Sequence, residues 1–109
     1  MTRLTKKAKE TFESIKRIND SGVECWSSRD LAKALTYADY RAFLEVMRKA
    51  WTACHNSGED PNNHFVVTTE MVSIGSGAER QIDTVLMTRY ACYLSVQNAD
   101  PFKIKHIIG

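Results

Sequence analysis

Three groups of residues in this chain have types and spacing suited to chemistry. They are a Cys54-His55 pair with His64 nine residues on, a Gly75-x-Gly77 step with Arg80 nearby, and basic side chains on two adjoining segments. A zinc site normally presents paired ligands with one to four residues between them, and there is no such second pair here. His55 reads instead as a cation at a helix C-terminus. Cys54 falls on an apolar stripe, where a buried inert thiol is expected, and Cys25 and Cys92 read the same way. A phosphate cradle on Gly75 and Gly77 would need a following Lys-Ser or Lys-Thr and a helix. Strand-like sequence flanks these glycines on both sides, so they read as a hairpin turn. The carboxylates are scattered and form no acid–base pair. The residues point to no catalysis, no metal and no cofactor.

What remains is basic clustering. Arg29 and Lys33, four apart, share one face of a short helix. Arg41 and Arg48, seven apart, nearly coincide on the wheel of the next helix, with Lys49 adjoining. Arg80 stands near the tip of the expected hairpin, where an arginine can position a phosphate backbone without reading sequence. Each such residue engaged with a phosphate makes binding salt-dependent. Asp30, Asp39 and Glu45 dilute the patch, and a net charge of only +2 generates no global field for a polyanion.

The elements that must hold these residues centre on Trp26 to Phe43. Ser27 caps a short helix, with Asp30 three residues on reaching back as in a capping box. Asp39 caps a second helix opening at Tyr40. Two short-linked helices with outward basic side chains suit insertion against nucleic acid; an ordinary helical hairpin with a solvated face is the alternative.

Around this stretch, Phe12, Ile15 and Ile18 predict an amino-terminal helix, and Val23 to Trp26 a short strand. Tyr40 to His55 predicts a central helix whose stripe is Tyr40, Leu44, Met47, Trp51 and Cys54, ended at Gly58. Phe65 to Ile74 and Arg80 to Leu86 predict a β-hairpin, and Thr88 a cap on a last helix from Arg89 to Asn98, stopped before Pro101. Trp26, Leu31, Leu35, Phe43, Met47 and Trp51 are the expected core. At 109 residues this is one small α+β domain with three to four helices, a hairpin and a short strand. Residues 1–11 form a basic arm, 12–101 the domain and 102–109 a tail. No stretch is long and apolar enough to span a bilayer. The absence of a signal peptide, with an odd cysteine count, predicts reduced thiols in the cytoplasm.

The stretch from Phe12 to Leu35, F-E-S-I-K-R-I-N-D-S-G-V-E-C-W-S-S-R-D-L-A-K-A-L, resembles the amino-terminal region of the DNA-damage-inducible protein D family. So do Y-R-A-F-L at Tyr40, A-C-H-N-S-G at Ala53, I-G-S-G-A at Ile74 and R-Y-A-C-Y-L-S-V-Q-N-A-D-P at Arg89. The region also resembles, more distantly, the BRO-type amino-terminal domain of viral and phage proteins, a domain regarded as DNA-binding and found in antirepressors. The resemblance implies a BRO-N-like fold and a bacterial cytosolic protein of the SOS response. For the full-length family it implies disassembly of RecA recombinase filaments on single-stranded DNA. Such proteins continue well past this length, and F-K-I-K-H-I-I-G after Pro101 departs from their pattern, which suggests a truncated copy. The expected partners are DNA, single-stranded or duplex, and RecA. A phage-type antirepressor acting on a repressor protein is the rival reading, and a remnant without activity a second. The apolar tail is compatible with a homodimer.

Overall fold

The computed structural model describes residues 6–100, with side chains from Glu10 onward. The tail expected at 102–109 and the first five residues of the basic arm lie outside the described residues. The order is α1 (Lys6–Ile15), β1 (Arg17–Ile18), β2 (Glu24–Ser27), α2 (Ser28–Ala34), α3 (Tyr40–Asn56), a 3₁₀ turn (Pro61–Asn63), β3 (Phe65–Ser73), β4 (Glu79–Met87) and α4 (Arg89–Asn98). The strands form one antiparallel sheet in the order β1-β2-β4-β3. The architecture is the α+β domain expected from the sequence.

Local chemistry sets most boundaries. Ser27 accepts the amides of Arg29 and Asp30 at the start of α2, Asp39 that of Arg41 at α3, and Thr88 that of Ala91 at α4. The capping box at Ser27 is only half made, because Asp30 turns its carboxylate to Arg17 instead of to the cap backbone. Gly58 follows α3 with φ +91°. At the hairpin tip Ser76 and Gly77 both have positive φ, and Ala78 N–H donates to Gly75 O at 2.9 Å. This is the signature of a type I′ turn, whose twist matches that of the strands.

The core lies between the helices and the base of the sheet, with Trp26, Leu31, Leu35, Phe43, Met47 and Met87 among its buried members. Two expectations are corrected here. Ile18 lies in β1, exposed, and not on the stripe of α1; the helix ends at Ile15 because the chain turns there to pair with β2. Trp51 is 42% exposed and stacks on His55 instead of filling the core, and Leu44 is similarly open. The buried face of α3 is Phe43, Val46, Met47, Ala50 and Cys54. α3 packs against α4, and the small residues Ala50 and Cys54 of α3 and Ala91, Cys92 and Ser95 of α4 are all at most 2% exposed. Trp51 lies one position past Ala50, at the edge of this buried face, and so sits at the rim.

Candidate nucleic-acid interface

A network of buried hydroxyls fixes α2 to the sheet. Ser27 Oγ lies 3.1 Å from Thr84 Oγ1, and Ser28 Oγ lies 2.6 Å from the Tyr40 hydroxyl. Ser28 Oγ also accepts the Val85 amide at 3.0 Å. Buried polar atoms are tolerated when partnered, and among the described residues no buried side-chain N or O lacks a partner. The next residue is Arg29. Its guanidinium carbon stands 4.1 Å from the centroid of the Tyr40 ring, and its Nε donates to Asp83 O at 2.7 Å. The hydroxyl network thus orients the ring on which Arg29 rests, and a cation–π contact of this kind stabilises by about 0.5–1 kcal/mol.

Between α2 and the hairpin lies an open groove of about 600 Å³. Arg29, Lys33 and Tyr40 line one side, and Glu70, Val72 and Ile82 the other. Arg17 crosses it, with Nη1 2.6 Å from Glu70 Oε2 and Nη2 2.9 Å from Asp30 Oδ2. The Glu70 hydrogen bond in particular holds the Arg17 guanidinium protonated more firmly than usual. Three cations thereby face two carboxylates, and both carboxylates are engaged by Arg17, leaving Arg29 and Lys33 as the groove's other charges. Arg80 lies opposite Val72 in the hairpin register and so stands on the same sheet face as this wall.

The structure thus divides the expected contact residues. Arg29 and Lys33 come together at the groove; Arg80 does not line it but lies beside it, opposite Val72 on the same sheet face. Arg41, Arg48 and Lys49 do not line it; they occupy exposed positions of α3. Arg41 faces Asp39 at 3.7 Å, and Arg48 faces Glu45 at 3.1 Å. Both pairs are well solvated and are worth at most about 1 kcal/mol each, so an incoming phosphate competes with them on near-equal terms. α2 is not a free recognition helix, since Ser28, Leu31 and Ala32 are buried against the body. Sequence reading missed Arg17, whose partners lie 13 and 53 residues away, and the Ser28–Tyr40–Thr84 hydroxyls. Only the capping role of Ser27 was legible there.

The other chemical groups have structural roles. His64 Nδ1 lies 2.6 Å from Thr88 Oγ1, and its Nε2 3.6 Å from Glu59, which ties the 3₁₀ turn to the cap of α4. Cys25, Cys54 and Cys92 are buried free thiols. Burial pushes the Cys54 and Cys92 thiols above their usual range, away from nucleophilic thiolate. Among the described residues no cluster of three or more His, Cys, Asp or Glu side chains is arranged to hold a metal, and no helix is long and apolar enough to cross a membrane.

The chain is 49% identical over 94 residues to DNA damage-inducible protein D of Escherichia coli strain K12, an alignment covering 86% of this chain and 34% of that protein. The chain therefore spans about a third of the length of this curated relative. No solved structure matches it. The profile described as "BRO family, N-terminal domain" matches residues 14–107, and the chain belongs to that family.

Proposed function

We propose that this domain takes part in the cellular response to DNA damage as a non-catalytic DNA-binding module, with α2 and the hairpin groove as its contact surface. The observation that carries this reading is the pairing of Arg29 and Lys33 at the groove, with Arg29 held over Tyr40 and Arg80 beside the groove on the sheet face of Val72. A preoriented guanidinium loses less freedom when it meets a phosphate than a free side chain does. Arg41, Arg48 and Lys49 extend the positive surface along α3 as secondary contacts. The relative's name supplies the biological setting. In that setting the polyanion is single-stranded or duplex DNA in the cytoplasm, and contact with RecA filaments on single strands is the regulatory outcome.

A salt titration of labelled single-stranded and duplex oligonucleotides tests this. Replacing Arg29 and Lys33 together by Ala weakens binding, and it lowers the slope of log affinity against log salt by about 1.4 on single strands, or about 1.8 on duplex. Replacing Arg41 and Arg48 lowers affinity less. Equal, salt-independent binding in all three proteins rejects the reading.

A second reading, an antirepressor-type contact with a repressor protein, is favoured by one feature. Leu44, Trp51 and His55 follow one another at helical spacing on α3, with Leu44 and Trp51 exposed and Trp51 stacked on His55. An open tryptophan is a common anchor of protein interfaces.

A further inference from the structure

β3 is the outermost strand of the sheet, and among the described residues nothing pairs with its free edge. Its nine residues, F-V-V-T-T-E-M-V-S, contain no proline, lysine or arginine, the devices by which exposed edges are usually blunted. The one charge, Glu70, is engaged by Arg17. Which backbone groups face outward follows from the register. Val67 pairs with Val85, whose amide is donated to Ser28 on the other side, whereas Thr88 N–H donates across to His64 O. Even-numbered positions of β3 are therefore the hydrogen-bonded pairs with β4. The amides and carbonyls of Val67, Thr69 and Met71 point away from the sheet. The side chains of Val67 and Met71 are 75% and 57% exposed.

We infer that this edge pairs with the same edge of a second copy of this chain, antiparallel about a two-fold axis at Thr69. In that register the outward groups of Val67 meet those of Met71 of the second copy, and Thr69 meets Thr69, so each hydrogen-bonded position has a partner in phase. All nine residues overlap, and Val67 and Met71 of both copies make one apolar cluster on the shared face. Glu70 comes opposite Thr68. A shift by one position to a centre at Glu70 would set two carboxylates face to face, which selects against it. The contact is isologous and closes after two copies. Its hydrogen bonds are those of the sheet edge, although Met71 and Ser73 also border the groove, and it does not require that the groove bind DNA.

Sedimentation of the whole chain over a range of concentrations tests the inference, with Val67→Pro as the diagnostic variant. Val67 donates no amide to β4, so proline there spares the hairpin's own ladder and removes two hydrogen bonds of the pair, one from each copy. The expected result is a concentration-dependent dimer for the unmodified chain, and a dissociation constant at least about tenfold higher for Val67→Pro. Val67→Lys, which keeps the backbone donor, weakens the dimer as well, and both variants keep the far-ultraviolet circular dichroism of the parent. Thr69→Cys adds a site that a short bis-maleimide links to its counterpart in the dimer, whereas the buried native cysteines give no link. A monomer at every concentration overturns the inference, as does a dimer that both Val67 variants leave unchanged or an unlinked Thr69→Cys dimer.

Discussion

Arg17 Nη1 lies 2.6 Å from Glu70 Oε2, joining the two-residue strand β1 to the middle of β3 across two intervening strands of the sheet. With its second nitrogen on Asp30, the same guanidinium ties α2 to the hairpin. The groove keeps its shape because one arginine sits between two carboxylates that would otherwise repel each other.

Replacing Arg17 by Ala is expected to destabilise the fold by about 1 kcal/mol, the upper end for partly solvated pairs. Glu70→Gln and Asp30→Asn, added to the Arg17→Ala chain, should each recover part of that loss by removing the uncompensated charge. Thermal melts of the four proteins check this. Equal melting temperatures for the parent and Arg17→Ala would show that the arginine has no structural role.

The acid limb of the stability profile should depend on Arg89. This residue donates from Nε and Nη2 to both oxygens of Glu24, each at 2.9 Å, and lies 3.6 Å from Glu13. Its hydrogen bond holds Glu24 below the usual carboxylate value of 4.5, and Lys16 foremost does the same for Glu13. A carboxylate with a lowered folded pKa stabilises above its unfolded pKa, and that stabilisation is lost as pH falls through the folded value. Arg89→Gln should therefore melt lower than the parent at neutral pH and show a shallower decline below pH 4.5. The two melting curves converge at the acid extreme.

Tyr40→Phe isolates the hydroxyl that orients the ring beneath Arg29. It removes the 2.6 Å contact to Ser28 while that oxygen keeps the Val85 amide, so the loss of stability should be about 1 kcal/mol. Oligonucleotide binding should weaken modestly with an unchanged salt slope, because the cation stays and only its orientation loosens. A changed slope would mean that a charge contact had been lost.

Thr36 links α2 to α3 at φ +65°, a left-handed conformation uncommon for a β-branched residue. Thr36→Gly relieves that strain, about 1–2 kcal/mol, but adds glycine's chain entropy and deletes the hydrogen bond from Thr36 Oγ1 to Leu35 O at 2.6 Å, each about 1 kcal/mol. The melting temperature should therefore stay within a few degrees of the parent's, as thermal melts would show.

The two tryptophans should respond to truncation with very different losses of stability. Trp26 is 1% exposed and donates from Nε1 to Phe12 O at 2.9 Å, so Trp26→Ala should cost about 3–5 kcal/mol. Trp51→Ala should cost well under that, near the range of about 0.5 kcal/mol seen at surface sites. Denaturant unfolding followed by circular dichroism measures both.

Trp51 also marks where periodicity stops being informative. Leu44, Met47, Trp51 and Cys54 do recur at helical spacing, and α3 runs over nearly the expected range. Which side of the stripe is buried depends on how α3 docks against α4, and that docking buries Ala50 and leaves Trp51 at the edge. The caps Ser27, Asp39 and Thr88, the hairpin turn and both long strands were legible because each depends on residues a few positions apart. The Arg17 bridge and the Ser27–Thr84 contact span 53 and 57 residues, and no local pattern encodes such a meeting. For the same reason Arg29 and Lys33 were legible as neighbours, whereas the wall facing them was not.

The type I′ turn at Ser76 and Gly77 lies well beyond the Glu70 position where Arg17 braces β3. Mechanically, the hairpin is a beam clamped at its base and propped near mid-span, with a free outer end that carries Arg80. Loosening the prop would swing that end as a unit, so the spacing between Arg80 and Lys33 and the pairing of Arg17 change together. A polyanion that draws Arg17 from its carboxylates would at the same stroke reset the width of the channel it occupies.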